Sequence, residues 1–140
     1  MRVLDAIADL LNRKSSVQMV ADDPQMSAEL LLLIRTMFAD GEMNEKEVAA
    51  FQDMCSSVFE IPSKDVPEVI RFLKDYGYET SSEQSAALFA DMPKERKSEL
   101  VSRLLVMAMA DAKFHDREKA MITRVAQTVG LSDEDMRALS

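Results

Sequence analysis

The stretch from Leu30 to Glu47, LLLLIRTMFADGEMNEKE, constrains this chain more than any other. From Ala28 to Ala39 apolar residues fall on nearly every helical face, and only Glu29, Arg35 and Thr36 interrupt them. A helix that is apolar all round belongs at the centre of a fold, covered on all sides. Gly41 follows and can take the left-handed conformation that ends a helix. Asn44 then reads as the N-cap of the next helix, with Glu47 completing a capping box and Met43 stapling onto Val48. Val48, Phe51, Cys55, Val58 and Phe59 carry an apolar stripe on to about Glu60.

A second, degraded copy of this unit lies 71 residues later. Ala39-Asp40-Gly41-Glu42-Met43-Asn44-Glu45-Lys46-Glu47 faces Ala110-Asp111-Ala112-Lys113-Phe114-His115-Asp116-Arg117-Glu118. Further on, Ile61-Pro62-Ser63 lines up with Leu131-Ser132-Asp133 at an offset of 70, so one residue has been gained or lost. Each copy is a helix, an elbow and a helix, followed by a short helix start. Two such units related by a pseudo-twofold axis would bury their central helices against each other.

The remaining elements follow from periodicity and punctuation. Val3, Leu4, Ile7, Leu10 and Leu11 recur at helical spacing and predict an amphipathic helix over 2–14. Ser15 to Asp23 reads as a polar connection, with Val17, Met19 and Val20 available to turn inward. Pro24 suits a first helical turn, and Ser27 is a candidate N-cap. Val66, Val69, Ile70 and Leu73 predict a helix over 63–76 ended by Gly77, and Thr80 to Glu83 starts another containing Ala86, Ala87, Leu88 and Phe89. Pro93 opens the second central helix, with Leu100, Val101, Leu104, Leu105, Ala108 and Met109 on its apolar face. Ala120, Met121, Val125, Ala126 and Val129 stripe the next. Gly130 stops it, and Ser132 with Asp135 starts a short last helix. No run alternates strictly between apolar and polar residues, so no strand is expected. The expectation is one all-α domain over 1–140, a bundle of seven to eight helices. It comprises an N-terminal helix and connection (1–22), a first repeat (24–76) and a second (80–139).

Composition excludes several functions. The net charge of -8 repels phosphate backbones, so no nucleic-acid partner is expected. The single cysteine, Cys55, lies on an apolar stripe, reads as core and excludes an internal disulfide. No apolar run approaches the ~20 residues that span a bilayer. The expected location is cytoplasmic, with a peripheral place at the inner membrane open through residues 1–14. The eleven methionines mostly fall on apolar stripes and read as adaptable core filler, with a Met-lined groove as the alternative. Lys94, Arg96 and Lys97 sit at a helix start, where the dipole disfavours cations, and so suggest contact with an acidic partner or lipid head group.

The helix ending Phe38-Ala39-Asp40-Gly41, then Met43, Asn44 and Glu47, the second copy at Ala110-Asp111 with Glu118, and Val129-Gly130-Leu131-Ser132 together resemble the TerB-like family. The resemblance covers roughly residues 24–139. It implies an all-helical bundle whose acidic elbow residues have been proposed to bind metal, and it implies no established enzymatic activity. Two departures bear on this. Ala112 stands where the second elbow should have Gly, and an Ala forced to positive φ costs about 1 kcal/mol. The charge of residues 40–47 sums to -3 but that of 111–118 only to -1, which argues against two equal metal sites.

The elbow also has half the pattern of a calcium-binding EF-hand, with Asp40-Gly41, Met43 and Glu47 in place. Its first two ligand positions would be Thr36 and Phe38, or Met107 and Met109 in the second copy, and these cannot supply the carboxylates a hard cation needs. A weaker acidic cluster survives: Asp40, Glu42, Glu45 and Glu47, joined by Asp111, Asp116 and Glu118 if the elbows meet. Capping and the helix dipole account for Glu45 and Glu47 equally well. His115 takes the cap slot matching Asn44 and reads as a surface elbow residue. No catalytic constellation is present. The expected function is a non-enzymatic binding or scaffold module with a protein partner, in a bacterial stress-response or envelope-associated assembly. The alternative is a divalent-metal sensor at Asp40–Glu47, and a divalent cation is the one cofactor open to the chain.

Overall fold

A computed structural model describes residue 3 and residues 15–39, 45–77, 80–110 and 116–139. The described residues form eight α-helices and one 3-10 turn, with no strand among them. The order is α1 (Ser16–Asp22), α2 (Pro24–Met37), α3 (Glu45–Ser57), the 3-10 turn Ser63–Asp65, α4 (Val66–Gly77), α5 (Ser82–Ala87), α6 (Lys94–Ala108), α7 (Asp116–Val129) and α8 (Asp133–Arg137).

α2 is the centre. Leu30, Leu31, Leu32, Leu33, Ile34 and Met37 are all buried, as its sequence demanded. It packs against α1, α3, α4, α5, α6 and α7. Burying each such side chain contributes about 1.5–3 kcal/mol. Its start differs from expectation: Asp23, not Ser27, is the N-cap, accepting from the Met26 amide at 3.1 Å, and Pro24 follows at the first position. Ser27 lies inside the helix and donates its hydroxyl to the Val20 carbonyl.

The expected connection at 15–23 is instead a helix, α1. Ser15 caps it, accepting from the Gln18 amide at 3.1 Å. Val20 is buried, and Ser16 Oγ donates to Asp65 at 2.7 Å. The element is held by its cap and by tertiary contacts, not by a periodic stripe.

α4 ends where Gly77 approaches α2. A Cβ at Gly77 would lie 2.6 Å from Leu31 Cδ1. Arg35 of α2 then closes the turn beyond α4. It donates to the Gly77 carbonyl at 2.7 Å, to the Thr80 carbonyl, and to Ser82 Oγ at 3.1 Å. Burial lowers the Arg35 pKa from its usual value. α5 opens with a capping box between Ser81 and Gln84. It is shorter than expected, so Ala87 and Leu88 are exposed while Phe89, on the following turn, is buried.

Three stripe assignments shift. Val58 and Met109 are exposed, because each lies past the last turn of its helix. In α7 the core residue is Ile122, with Met121 half-buried and Ala120 exposed, so the buried face is rotated from the expected one. Val125, Ala126 and Val129 are buried as expected.

Local geometry recurs between the two copies. α2 ends at Phe38 (φ -100, ψ 6) and α6 at Met109 (φ -97, ψ 4). Phe38 donates to Ile34 at 3.1 Å and Met109 to Leu105 at 3.0 Å. At the far ends, the Ile61 amide closes on the Cys55 carbonyl at 2.8 Å and the Leu131 amide on Ala126 at 2.9 Å. A left-handed residue precedes each, Glu60 (φ 57) and Gly130 (φ 86). The first closure spans one residue more than the second, and this locates the change of offset from 71 to 70.

Candidate functional site

The elbows are only partly visible. Of the acidic candidates, Asp40, Glu42 and Asp111 lie outside the described residues, as do Gly41, Met43, Asn44, Ala112 and His115. Glu45 and Asp116 open α3 and α7 and are exposed. Glu47 and Glu118, the third residues of the same helices, are fully buried. Each of these two helices thus carries a buried carboxylate at its third position. Among the described residues, no three His, Cys, Asp or Glu side chains are grouped so as to hold a metal ion.

A second ionic arrangement was not legible in the sequence. Glu29, inside apolar α2, is fully buried and faces two arginines of α6. Arg96 reaches it at 2.5 Å, and Arg103 Nη1 contacts both carboxylate oxygens at 2.9 and 3.1 Å. Arg96 stacks over Phe89 and Arg103 over Phe59, with ring centroids 5.1 and 5.8 Å away. Glu99 lies 3.5 Å from Arg96 and 3.6 Å from Arg103. A buried carboxylate needs this pairing, since an uncompensated charge in a core is costly. The cations at the start of α6 thus face acids of the same chain. Arg96 serves Glu29, and Lys94 pairs with Asp135 at 2.5 Å. Of the three cations singled out there, Lys94 and Arg96 each have an acidic partner within the chain.

Cys55 is a free thiol, fully buried, and burial pushes its pKa up to about 12. It is core, as expected.

A groove of about 960 Å³ lies between α6, α7 and α8. Leu105, Val106, Met109, Ile122, Met136 and Leu139 supply its apolar wall. Val106 is 56% exposed and Met109 59%. Apolar residues grouped at a concave surface with charges at the edge are the pattern of a docking site. The charged lining residues among those described are Lys119 and Arg137, both cationic in a chain of net charge -8. Of its exposed apolar residues, the sequence placed Met109 on the core stripe of the second central helix and gave Val106 no assignment.

The model of the family described as tellurite resistance protein TerB matches residues 26–140. The chain belongs to the TerB family. The match takes in α2 from its third residue and everything after it, so Glu29, both buried elbow glutamates and the groove all lie inside the TerB region. α1 and residues 1–14 precede it. No curated protein and no solved structure matches the chain. Among the described residues, no helix is long and apolar enough to cross a membrane.

Proposed function

We propose that this TerB-family chain is a non-enzymatic binding and scaffold module, working in a bacterial stress-response or envelope-associated assembly. It docks an amphipathic helix in the groove between α6, α7 and α8. The observation that carries this reading is the exposure of Val106 and Met109 in the lining of a largely apolar groove. A helix in such a groove is recognised by apolar anchors one turn apart. The buried, unreactive state of Cys55 supports a role without chemistry at that thiol. The recurrence of caps and of Glu47 and Glu118 supports two units about a pseudo-twofold axis, with the α6–α7 unit serving the groove.

A photo-crosslinker placed at Val106 tests this. It should capture a helical segment identifiable by mass spectrometry, whereas one placed at exposed Arg71 of α4 should not. Equal capture at both positions, or capture that survives Val106→Asp with Met109→Asp, removes the reading.

A second reading, a divalent-metal sensor at the elbow Asp40–Glu47, draws on the burial of Glu47 and Glu118 at matching positions. A cation at 100 times its dissociation constant would stabilise the fold by about 2.7 kcal/mol. Calcium, magnesium, manganese and zinc titrated during thermal unfolding should raise the midpoint, and Asp40→Asn with Glu47→Gln should abolish the rise. An absent or surviving shift excludes this reading.

A further inference from the structure

Glu29, Arg96 and Arg103 line a cleft of about 240 Å³ between the start of α2, the residues that follow α3, and α6. Sites for drug-sized molecules run from ~300 Å³ upward, so this cleft fits something smaller.

The two guanidinium groups keep donors in reserve. Arg96 Nη1 is buried and has no hydrogen-bond acceptor among the described residues. Glu99 Oε2 lies 3.5 Å from Arg96 Nη1 and 3.6 Å from Arg103 Nη2. A charge-assisted N–H···O bond is about 2.7–2.9 Å long, so one carboxylate oxygen sits between both cations and bonds closely to neither. The Glu99 side chain is 55% exposed, so it can turn into solvent at little cost. Stacking on Phe89 and Phe59 meanwhile fixes the two guanidinium planes. An oxyanion that takes the place of Glu99 would meet donors already oriented.

Charge and lining narrow the ligand further. Asp23, Glu29 and Glu99 line the cleft together with Arg96 and Arg103, three acids against two cations. A carboxylate that displaces Glu99 leaves that balance unchanged. A phosphate dianion would add a further negative charge beside Glu29 and Asp23, where burial strengthens repulsion. Met26, Val58 and Phe59 supply the apolar part of the lining, and Val58 is 40% exposed. We propose that this cleft binds a singly charged carboxylate carried on a short apolar chain. Arg96 and Arg103 hold the carboxylate, Glu99 is the group it displaces, and Val58 contacts the chain. The cleft shares no lining residue with the α6–α8 groove, so the two sites stand or fall separately.

Sodium butyrate titrated into the full chain tests this, with the arginine Nε–Hε resonances followed by nitrogen-edited NMR. Two of them, assigned to Arg96 and Arg103 by substitution, should shift and saturate with butyrate. Sodium chloride at equal ionic strength should not reproduce the shifts, and inorganic phosphate at pH 7 should bind more weakly than butyrate. Glu99→Gln removes the internal competitor and should tighten butyrate binding about threefold. Val58→Asp puts a like charge at the exposed apolar position and should weaken it at least about threefold. Arg103→Gln should abolish it. Far-ultraviolet circular dichroism checks the fold of each variant, and if Arg103→Gln does not fold, the exposed positions 99 and 58 decide. Shifts that fail to saturate, that chloride reproduces, or that Glu99→Gln leaves at the same or a higher midpoint overturn the proposal. Tighter binding of phosphate than of butyrate, or binding indifferent to Val58→Asp, overturns it as well.

Discussion

Arg103 Nη1 lies 2.9 Å from one oxygen of the Glu29 carboxylate and 3.1 Å from the other, joining the central helix α2 to α6 across 74 residues of sequence. Arg96 Nη2 binds the same buried carboxylate at 2.5 Å. Glu29→Gln keeps the shape but leaves two guanidinium groups facing a neutral amide. It should destabilise the fold by about 3 kcal/mol in urea unfolding. Arg103→Gln, which leaves Arg96 in place, should cost less, about 1–2 kcal/mol. The double variant should fall short of the sum of the two, because the pair is coupled. Additive costs would show that the contact contributes little.

The two left-handed residues make opposite predictions. Gly130 at φ 86 closes α7, and Gly130→Ala should cost about 1 kcal/mol. Glu60 at φ 57 occupies the matching place after α3 with a side chain that disfavours it. Glu60→Gly should relieve that strain and raise stability by about 0.5 kcal/mol after the entropy cost of the new glycine. Thermal unfolding of the two variants checks both signs.

Asp135 gives the chain an acid-sensitive contact. A hydrogen bond from Lys94, and then the capping-box bonds of Ser132, hold its carboxyl at about 2, below the usual 3.8. A depressed folded-state value means that the contribution is present above the unfolded value and is lost as pH falls through the folded one. The window runs from pH 3.8 down to about 2. Over that window the native chain should lose more stability than Asp135→Asn, measured by urea midpoints at several pH values. Parallel curves would remove Asp135 from the account.

Cys55 should resist modification. With its pKa pushed up to about 12 by burial, the folded thiol holds almost no thiolate at pH 8. A disulfide-exchange reagent should label it on the order of a thousandfold more slowly in native protein than in urea-unfolded protein. Comparable rates would mean that the α3 stripe opens readily.

Helix existence was largely legible in the sequence, because periodicity and caps are local. The all-apolar run at 28–39 dictated a central helix, and Ser81, Ser132 and Gly130 marked boundaries that the structure reproduces. α1 was not legible. Its seven residues carry only the pair Val17 and Val20 at helical spacing, too short a stripe to predict a helix, and the Ser15 cap and the Ser16 contact complete its hold. The candidate site was less legible still. Of the acidic elbow residues proposed from sequence, the structure describes four, burying Glu47 and Glu118 and exposing Glu45 and Asp116.

The sequence by itself determined that the chain is helical and that α2 lies at its centre, since these depend on residue spacing along the chain. Only the tertiary structure decided which apolar residues remain uncovered and which charges are paired inside. Val106 and Met109 repeat the three-residue spacing of buried Leu104 and Met107, yet they stay exposed among the described residues. Glu29 reads as an interruption until α6 brings Arg96 and Arg103 onto it from 67 and 74 residues away. Burial and ion pairing are properties of neighbours, and neighbours are chosen by packing.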